Sequence, residues 1–505
     1  MTIGADICLI VEGGYPYVVG GVASWVDALM RASPQIRFHI IAIGISSQAR
    51  RRNFELPANA VGVTDILLDT CPHGRTPTYR EAAQVDHILS LLEVTLTRGD
   101  SSTFERLVEQ LRLTNFGRAA LLDSRPAWRA MEEAYRRLLP NGSLLDFFWS
   151  WRFLVRSLLA VTNAPLPDAR AFHAVATGFS GLVGSYAKLA ANVPLLVTEH
   201  GIYTNERRIE LAVADWLFES GARGFDVSGE PAELRSMWMN AFRSSSRICY
   251  TFADVITSQY RANQAFQRAD GAPDGKLRII PNGIDADKFG ARWPEPAQRP
   301  PTVLMIGRIV PIKDVRTFIV AVARLREIVP NVLAILVGPE DEDPDYAAGC
   351  HQLVRQLGAE SSIEFLGRVP DVQKYLRAAD VLALSSVSEA QPITILEAAA
   401  TGLPIVSTDV GSCREIIEGF DGDPVSGCGG IVVEPCNPGA MADALARILR
   451  DKEMRSQMAE VMRRRVASYY HKDRVTHLYE ELYAEFAAPL TAINSKRHDQ
   501  RQRYH

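Results

Sequence analysis

Short apolar runs recur along the chain, each followed by a stretch in which apolar residues return every three or four positions. This alternation of buried strand and amphipathic helix predicts an α/β fold with parallel sheets. Near the start, Asp6 to Val11 reads as a strand, Glu12 to Gly21 as a glycine-rich loop, Val22 to Arg31 as a helix and Phe38 to Ile43 as the next strand. From about Thr76 to Val161 the strand rhythm stops, and helical spacing predicts helices near 79–97, 103–113, 126–138 and 146–160, a helical insertion. The rhythm returns with a strand at Ala171 to Val175, a helix at Gly181 to Ala191, a strand at Pro194 to Thr198 and another that ends in the turn Pro281-Asn-Gly-Ile-Asp285. Four prolines, at 294, 296, 300 and 301, then crowd one segment and mark a domain boundary. Beyond it come a strand at Thr302 to Ile306, a helix near Val315 to Val329, a strand at Val332 to Val337 and further repeats to about residue 450. The predicted division is an N-terminal domain over 1–292 carrying the insertion at about 76–161, and a C-terminal domain over 293–465. A helix over 466–487 is expected to pack back on the N-terminal domain, and 488–505 to be a disordered tail.

At 505 residues the chain is too long for one ordinary core, in agreement with two domains. A hydrophobic fraction of 47%, with 23% charged residues and a net charge of −4, gives a globular chain without a global pull toward nucleic acid or anionic membrane. The seven cysteines are odd in number and scattered, with no Cys-x-x-Cys pair, so a reduced chain without structural zinc is expected. The start, Met1-Thr-Ile-Gly-Ala-Asp6, lacks a basic leader region, and no window reaches the length of an uncharged membrane span; a cytoplasmic location is expected. The nearest approach to a span, Leu144 to Val161, is rich in Phe and Trp but broken by Asp146, Arg152 and Arg156. It reads as a buried or interdomain helix, or else as a surface for a membrane or membrane partner.

In α/β domains ligands bind where loops leave the carboxyl ends of strands. The stretch Ser388-Glu-Ala-Gln-Pro-Ile-Thr-Ile-Leu-Glu397 follows such a strand, with Pro392 opening a helix that Gly402 closes. Glu389 then lies in the loop and Glu397 in the helix, whose side chains lean toward its N-terminus. Both acids could line one pocket beside a helix N-terminus that attracts phosphate, and a nucleotide sugar suits all three. The alternative is one solvated acid and one capping acid. After Thr302 to Ile306 comes Gly307-Arg308, with Lys313 five residues on; two cations on a strand-to-helix loop fit a diphosphate, or else form a solvated basic loop. Gly20 and Gly21 precede a helix, where glycine permits either a close approach to phosphate or sugar or a tight turn. The spacing matches neither a dinucleotide fingerprint nor a P-loop. His200, beside Glu199 at the end of another strand, could donate to a sugar hydroxyl with a neighbouring acid fixing its tautomer, or be a structural group. Asp341-Glu-Asp343 reads as a solvated loop rather than a metal site.

Together, the Glu389 to Glu397 spacing, Gly307-Arg308 with Lys313, Pro281 to Asp285 and the Gly20-Gly21 loop resemble glycosyltransferase family 4, over most of the chain outside the insertion. The longer strings Glu12 to Trp25, Thr198 to Thr204 and Gly338 to Pro344 resemble the Pel exopolysaccharide transferases within it. The resemblance implies a GT-B fold, two Rossmann-like domains facing across a cleft. It implies that Glu389 holds donor-sugar hydroxyls, Glu397 the ribose, and Arg308 with Lys313 the diphosphate. Arg368 and Val369 would meet the base, and His200 the donor sugar near its reacting carbon. Gly20 and Gly21 would lie beside the phosphate or acceptor, with Ala390, Gln391, Pro392, Ile393 and Thr394 around the nucleotide sugar. Many members carry Gly where this chain has Ala390, which would strain the loop if that position needs a positive φ. The implied reaction is transfer from a UDP-linked hexose or N-acetylhexosamine to a growing exopolysaccharide. Anomeric configuration would be retained, with no obligatory metal and no cofactor, and a membrane export partner is implied. Transfer to a lipid or capsule acceptor, and a non-catalytic nucleotide-sugar-binding scaffold, are the alternatives.

Overall fold

The computed structural model describes residues 4–45, 51–213, 233–290 and 299–487. They form two compact units: residues up to Ser258 with Asn263–Ile279 and the segment from Tyr479 onward, and Gln259–Ala262 with Ile280–Leu478.

The first unit holds seven parallel strands: β1 (Ala5–Glu12), β2 (Phe38–Gly44), β3 (Ala60–Leu67), β4 (Ala169–Ala174), β5 (Leu195–Glu199), β6 (Val255–Ser258) and β7 (Leu277–Ile279). Their order is β3-β2-β1-β4-β5-β6-β7, so β1 lies between β2 and β4, and the chain reverses its direction of travel across the sheet there. The interior of β1 is apolar and buried from Ile7 to Val11, as a central strand covered on both faces requires. The predicted insertion is helical, with helices Ala82–Arg98, Ser101–Thr114, Arg125–Leu138 and Leu144–Thr162 besides a short turn at Arg118–Leu121. Its apolar stripes, among them Ile88, Leu92, Phe104 and Leu107, join the core under the sheet. The aromatic helix Leu144–Thr162 buries Phe147, Trp151, Leu154 and Leu158 and leaves Leu145 and Trp149 exposed. Among the described residues no helix is long and apolar enough to cross a membrane.

The second unit holds β8 (Thr302–Ile306), β9 (Leu333–Val337), β10 (Ile363–Phe365), β11 (Val381–Leu384), β12 (Ile405–Thr408) and β13 (Gly430–Val433), all parallel, in the order β10-β9-β8-β11-β12-β13. Its reversal falls between β8 and β11.

Sequence spacing put the division between domains at residue 292, a position outside the described residues. The compact units part at Ile279/Ile280 instead. The reason is a backbone clasp: Ile284 N–H donates to the Tyr470 carbonyl (2.8 Å), and Lys472 N–H to that of Ile284 (2.9 Å). Ile284 and Phe289 also join the core of the second unit. The helical stretch near 452–487 is three pieces, Lys452–Arg465, a wider turn at Val466–Tyr470, and Lys472–Ala487; residues to Leu478 group with the second unit and those from Tyr479 with the first. The expected tail, 488–505, lies outside the described residues. Sequence reading also passed over β3, an edge strand mostly half-buried, and the helix Glu233–Phe252, where apolar residues are diluted by serine and arginine.

Arg465, 1% exposed, ties the end of the helix Lys452–Arg465 to the core loops. Its Nε donates to Asp423 (2.6 Å), and its other nitrogens donate to the carbonyls of Ile416, Ile417, Val425 and Gly427. Arg465→Ala is expected to destabilise the second unit by about 3–5 kcal/mol, because Asp423 would remain buried without its partner. Urea unfolding followed by circular dichroism measures this.

Candidate active site

At each reversal of strand order two neighbouring strands send their loops to opposite sides, leaving a crevice at their carboxyl ends. In the second unit these loops follow β8 and β11. The β8 loop turns through Pro311–Lys313 into Asp314, whose left-handed φ of 44° lets its carboxylate accept from Thr317 N–H at the start of the helix Val315–Ile328. Ser385 Oγ donates to the Lys313 carbonyl (2.8 Å), and Val387 N–H to that of Ile312 (2.9 Å), so the two loops are sewn together. Lys313 Nζ lies 2.5 Å from Glu389 Oε1, which also accepts from Ser386 Oγ at 2.6 Å. Gly338 is required nearby, since its Cβ would fall 1.8 Å from the Gly307 carbonyl oxygen.

Beyond β11 the chain enters the helix Ile393–Thr401, closed by Gly402 at φ 73°, and no side chain caps its N-terminus. Pro392 has no N–H to offer, so the open amides are those of Ile393 and Thr394. The Gln391 side chain is buried: its Oε1 accepts from Asn282 N–H (2.6 Å), while its Nε2 has no partner among the described residues. A buried, unsatisfied donor beside an uncapped helix start calls for an acceptor atom that the chain itself does not supply. Glu397 makes no side-chain hydrogen bond among the described residues, and burial raises its pKa. Ala390 has no positive φ; among described non-glycine residues that region holds Asn115, Asn192, Asp314 and Cys436. The alanine therefore strains nothing, because its carbonyl is braced by Ser412 N–H (2.8 Å) and Gly411 takes the left-handed φ of 55°.

The other cations pair with the acidic loop after β9. Arg308 pairs with Glu342, and the exposed Arg368 lies 3.7 Å from Asp341; Asp341 and Glu342 are exposed, a solvated loop with surface ion pairs. Its Asp343 caps the helix Pro344–Gln356. Val369 packs partly buried against the core. Among the described residues no group of three or more His, Cys, Asp or Glu side chains is placed to hold a metal ion.

In the first unit the reversal lies between β1 and β4, and there a pocket of about 280 Å³ is lined by Glu12, Gly20, Gly21, Val175, Ala176, His200, Tyr203, Glu206 and Arg207. Gly20 is extended (φ −176°), and a Cβ at Gly20 or Gly21 would meet nothing within 4 Å. The chain's own packing therefore does not demand these glycines. His200 packs edge-on against Trp25 with ring centroids 4.4 Å apart, and burial lowers its pKa to about 4, so the imidazole is neutral near pH 7. Glu199 faces a buried network, accepting from Tyr250 (2.5 Å) and Gln267 (2.9 Å). Glu12 accepts from Phe179 N–H (2.9 Å) and from the Tyr203 hydroxyl (3.3 Å); burial raises its pKa. Glu206 is raised to about 6 by burial and by neighbouring acids, with Arg207 opposing. The bond from Asn282 N–H to Gln391, and Glu12 and His200 lining one pocket, become visible only where separate loops meet.

Two Rossmann-like parallel sheets with these crevices define the GT-B class of glycosyltransferase folds. The chain matches, over residues 5–275, the family described as "Domain of unknown function (DUF3492)" and belongs to that family, and residues 289–465 match "Glycosyl transferases group 1". A D-inositol 3-phosphate glycosyltransferase of Corynebacterium urealyticum is 28% identical over 47% of this chain and 59% of its own length. The lipopolysaccharide core biosynthesis glycosyltransferase LpsE of Rhizobium meliloti is 31% identical over 41% of this chain and 58% of its own. The chain thus spans about three fifths of these curated relatives. Sucrose-phosphate synthase from Thermosynechococcus elongatus shares the fold with TM-score 0.59 at 19% identity, covering 96% of this chain and all of that one. Anabaena HepE, solved with UDP and glucose, does so with TM-score 0.55 at 15% identity, covering 95% and 100%.

His200 and His173, the latter lowered to about 3 by burial, both stay neutral when folded, whereas the unfolded chain protonates them near 6.5. The unfolded state therefore binds more protons between pH 6.5 and 4, and stability is expected to fall as pH drops through that window, by up to about 1.4 kcal/mol per pH unit for each histidine. Melting temperature against pH, with His200→Gln giving a shallower slope than wild type, checks it. Gly21→Ala is expected to change stability by less than about 1 kcal/mol, since nothing crowds the new methyl; a larger loss by thermal unfolding would show a packing role.

Proposed function

We propose that this protein is a retaining glycosyltransferase, independent of metal, that moves a sugar from a UDP-N-acetylhexosamine or UDP-hexose onto a growing exopolysaccharide of the Pel type, a PelF-like transferase. The observation that carries the reading is the knot of Lys313, Glu389 and Ser386 beside the uncapped helix N-terminus. Here a cation, an acid and open amides meet at the crevice of the second unit.

As the bond between sugar and phosphate breaks, negative charge gathers on the diphosphate. Lys313 and the amides of Ile393 and Thr394 stabilise it in a site where those dipoles need no reorganisation. A diphosphate gives Lys313 a stronger partner than Glu389, and Glu389 is then released to accept from sugar hydroxyls. Glu397, unpartnered and raised in pKa, takes the ribose, and the Gln391 amide donates to a donor oxygen. Arg308 leaves Glu342 to join the phosphates, while Arg368 and Val369 meet the base. In the first unit neutral His200 donates to the sugar without adding charge, and Gly20 and Gly21 leave room for phosphate or acceptor. The leaving phosphate takes the acceptor proton, so no side chain serves as nucleophile. UDP as the nucleotide is supported by HepE, solved with UDP-glucose. A membrane-embedded export partner and a cytoplasmic location go with this reading, and the exposed Leu145 and Trp149 are the proposed contact. The likeness to LpsE favours a second reading, transfer to a lipid acceptor by the same site.

Calorimetry with a panel of nucleotide sugars, without metal and then with magnesium, tests the donor site. One UDP-sugar is expected to bind and to release UDP slowly. Glu389→Ala or Lys313→Ala should weaken binding or turnover by about 10- to 100-fold, the cost of one charged hydrogen bond. Full activity in both variants would refute the assignment.

A further inference from the structure

At the edge of the first sheet, beside β3 and away from the reversal between β1 and β4, lies a cavity of about 270 Å³. Its walls are the loop after β3, the turn Arg118–Leu121 with Leu122, and the helix Leu144–Thr162, on which Trp149, Arg152, Phe153 and Arg156 share one face. Phe153 is the partition from a larger aromatic cavity of about 910 Å³ that Trp238 and Phe242 also line, and the two have no other lining residue in common.

The charged residues of the smaller cavity are Arg118, Arg152, Arg156 and Asp69. Arg118 and Arg152 share a further acid, Asp123, at 3.1 and 2.8 Å. Arg156 makes no hydrogen bond or ion pair among the described residues; its Nε is buried, and its guanidinium carbon stands 5.9 Å from the Phe153 ring centroid. Asp69 has a buried Oδ1 that is likewise without a partner. Free arginine and free aspartate therefore line one cavity without meeting each other. Burial raises the thiol pKa of Cys71 in the same wall, while Arg156, Arg118 and Arg152 all oppose it, so three guanidiniums act on one point.

We propose that this cavity binds a small phosphate ester whose body carries hydroxyl or N–H donors. Three guanidiniums against two carboxylates leave a surplus positive charge, and their planar forks match phosphate oxygens. Asp69 calls for the other half of the ligand, because a buried acceptor needs a donor that the chain does not supply. Trp149, 62% exposed, and Phe153 offer flat apolar faces to a sugar ring or a base. A wholly apolar ligand would leave Arg156 and Asp69 buried without partners. None of these charged groups has a part in the transfer reading, and the inference stands without it.

The test uses the full chain with inorganic phosphate, glucose phosphate and adenosine monophosphate, followed by calorimetry and by alkylation of Cys71 read peptide by peptide in mass spectrometry. At least one ester is expected to bind about tenfold more tightly than inorganic phosphate, and the tighter ester names the body. Bound ester should protect Cys71 while the exposed Cys428 and Cys436 alkylate as before. Arg156→Gln should weaken the ester by about 10- to 100-fold, the cost of one charged hydrogen bond. Asp69→Asn should remove most of the preference for ester over phosphate. Neither side chain has a partner in the fold, so both variants should melt as the wild type does. No ester binding below about 10 mM, equal affinity for phosphate and both esters, an Arg156→Gln midpoint equal to that of the wild type, or displacement of the ester by UDP would overturn the proposal.

Discussion

Every described strand pairs in parallel with its neighbours, and parallel strands can be joined only by crossovers that cover a face of the sheet. Each sheet grows outward from its middle in two directions. Where growth reverses, between β1 and β4 and between β8 and β11, successive loops part and leave a gap lined by carboxyl ends of strands and amino ends of helices. Gly20, Gly21, Lys313, Glu389 and Gln391 lie on or next to such loops, whereas His200 follows β5 and Arg368 and Val369 follow the edge strand β10. The chemistry depends on this topological necessity before it depends on any side chain.

In the second unit the gap is held open by contacts between loops. Gly338 lets the chain after β9 press against Gly307, Ser385 grips the Lys313 carbonyl, and Gly411 lets the chain after β12 brace Ala390. Four strands thus fix the positions of Lys313 and Glu389. Held 2.5 Å apart, these two charges compensate each other.

The first unit solves a different problem. Its crevice sets an imidazole kept neutral by burial, His200, beside the acids Glu12 and Glu206, both raised in pKa by burial, and the cation Arg207. The helical insertion and Glu233–Phe252 extend that lining with aromatic rings, giving the unit a surface that a bare Rossmann sheet lacks.

Periodicity along the chain was enough to read most strands, the helical insertion and the motif loops, because strong apolar runs and Gly or Pro punctuation are local signals. The amphipathic helix Ile393–Thr401 and its Gly402 stop are a clear instance. β3 escaped because a half-buried edge strand carries no continuous apolar run, and the compact units divide at Ile279/Ile280 because backbone hydrogen bonds to Tyr470 and Lys472, far along the chain, recruit Ile284 to the second unit. The residue types of the candidate site, the acids of 389 and 397 and the cations of 308 and 313, are named by the sequence alone. Which cation meets which acid was not: Lys313 lies on Glu389 while Arg308 turns to Glu342. Nor was the unsatisfied amide of Gln391, the neutral state of His200 or the aromatic cavity. Local sequence determines what each segment can be; pairing, burial and protonation belong to groups that meet only when distant segments pack.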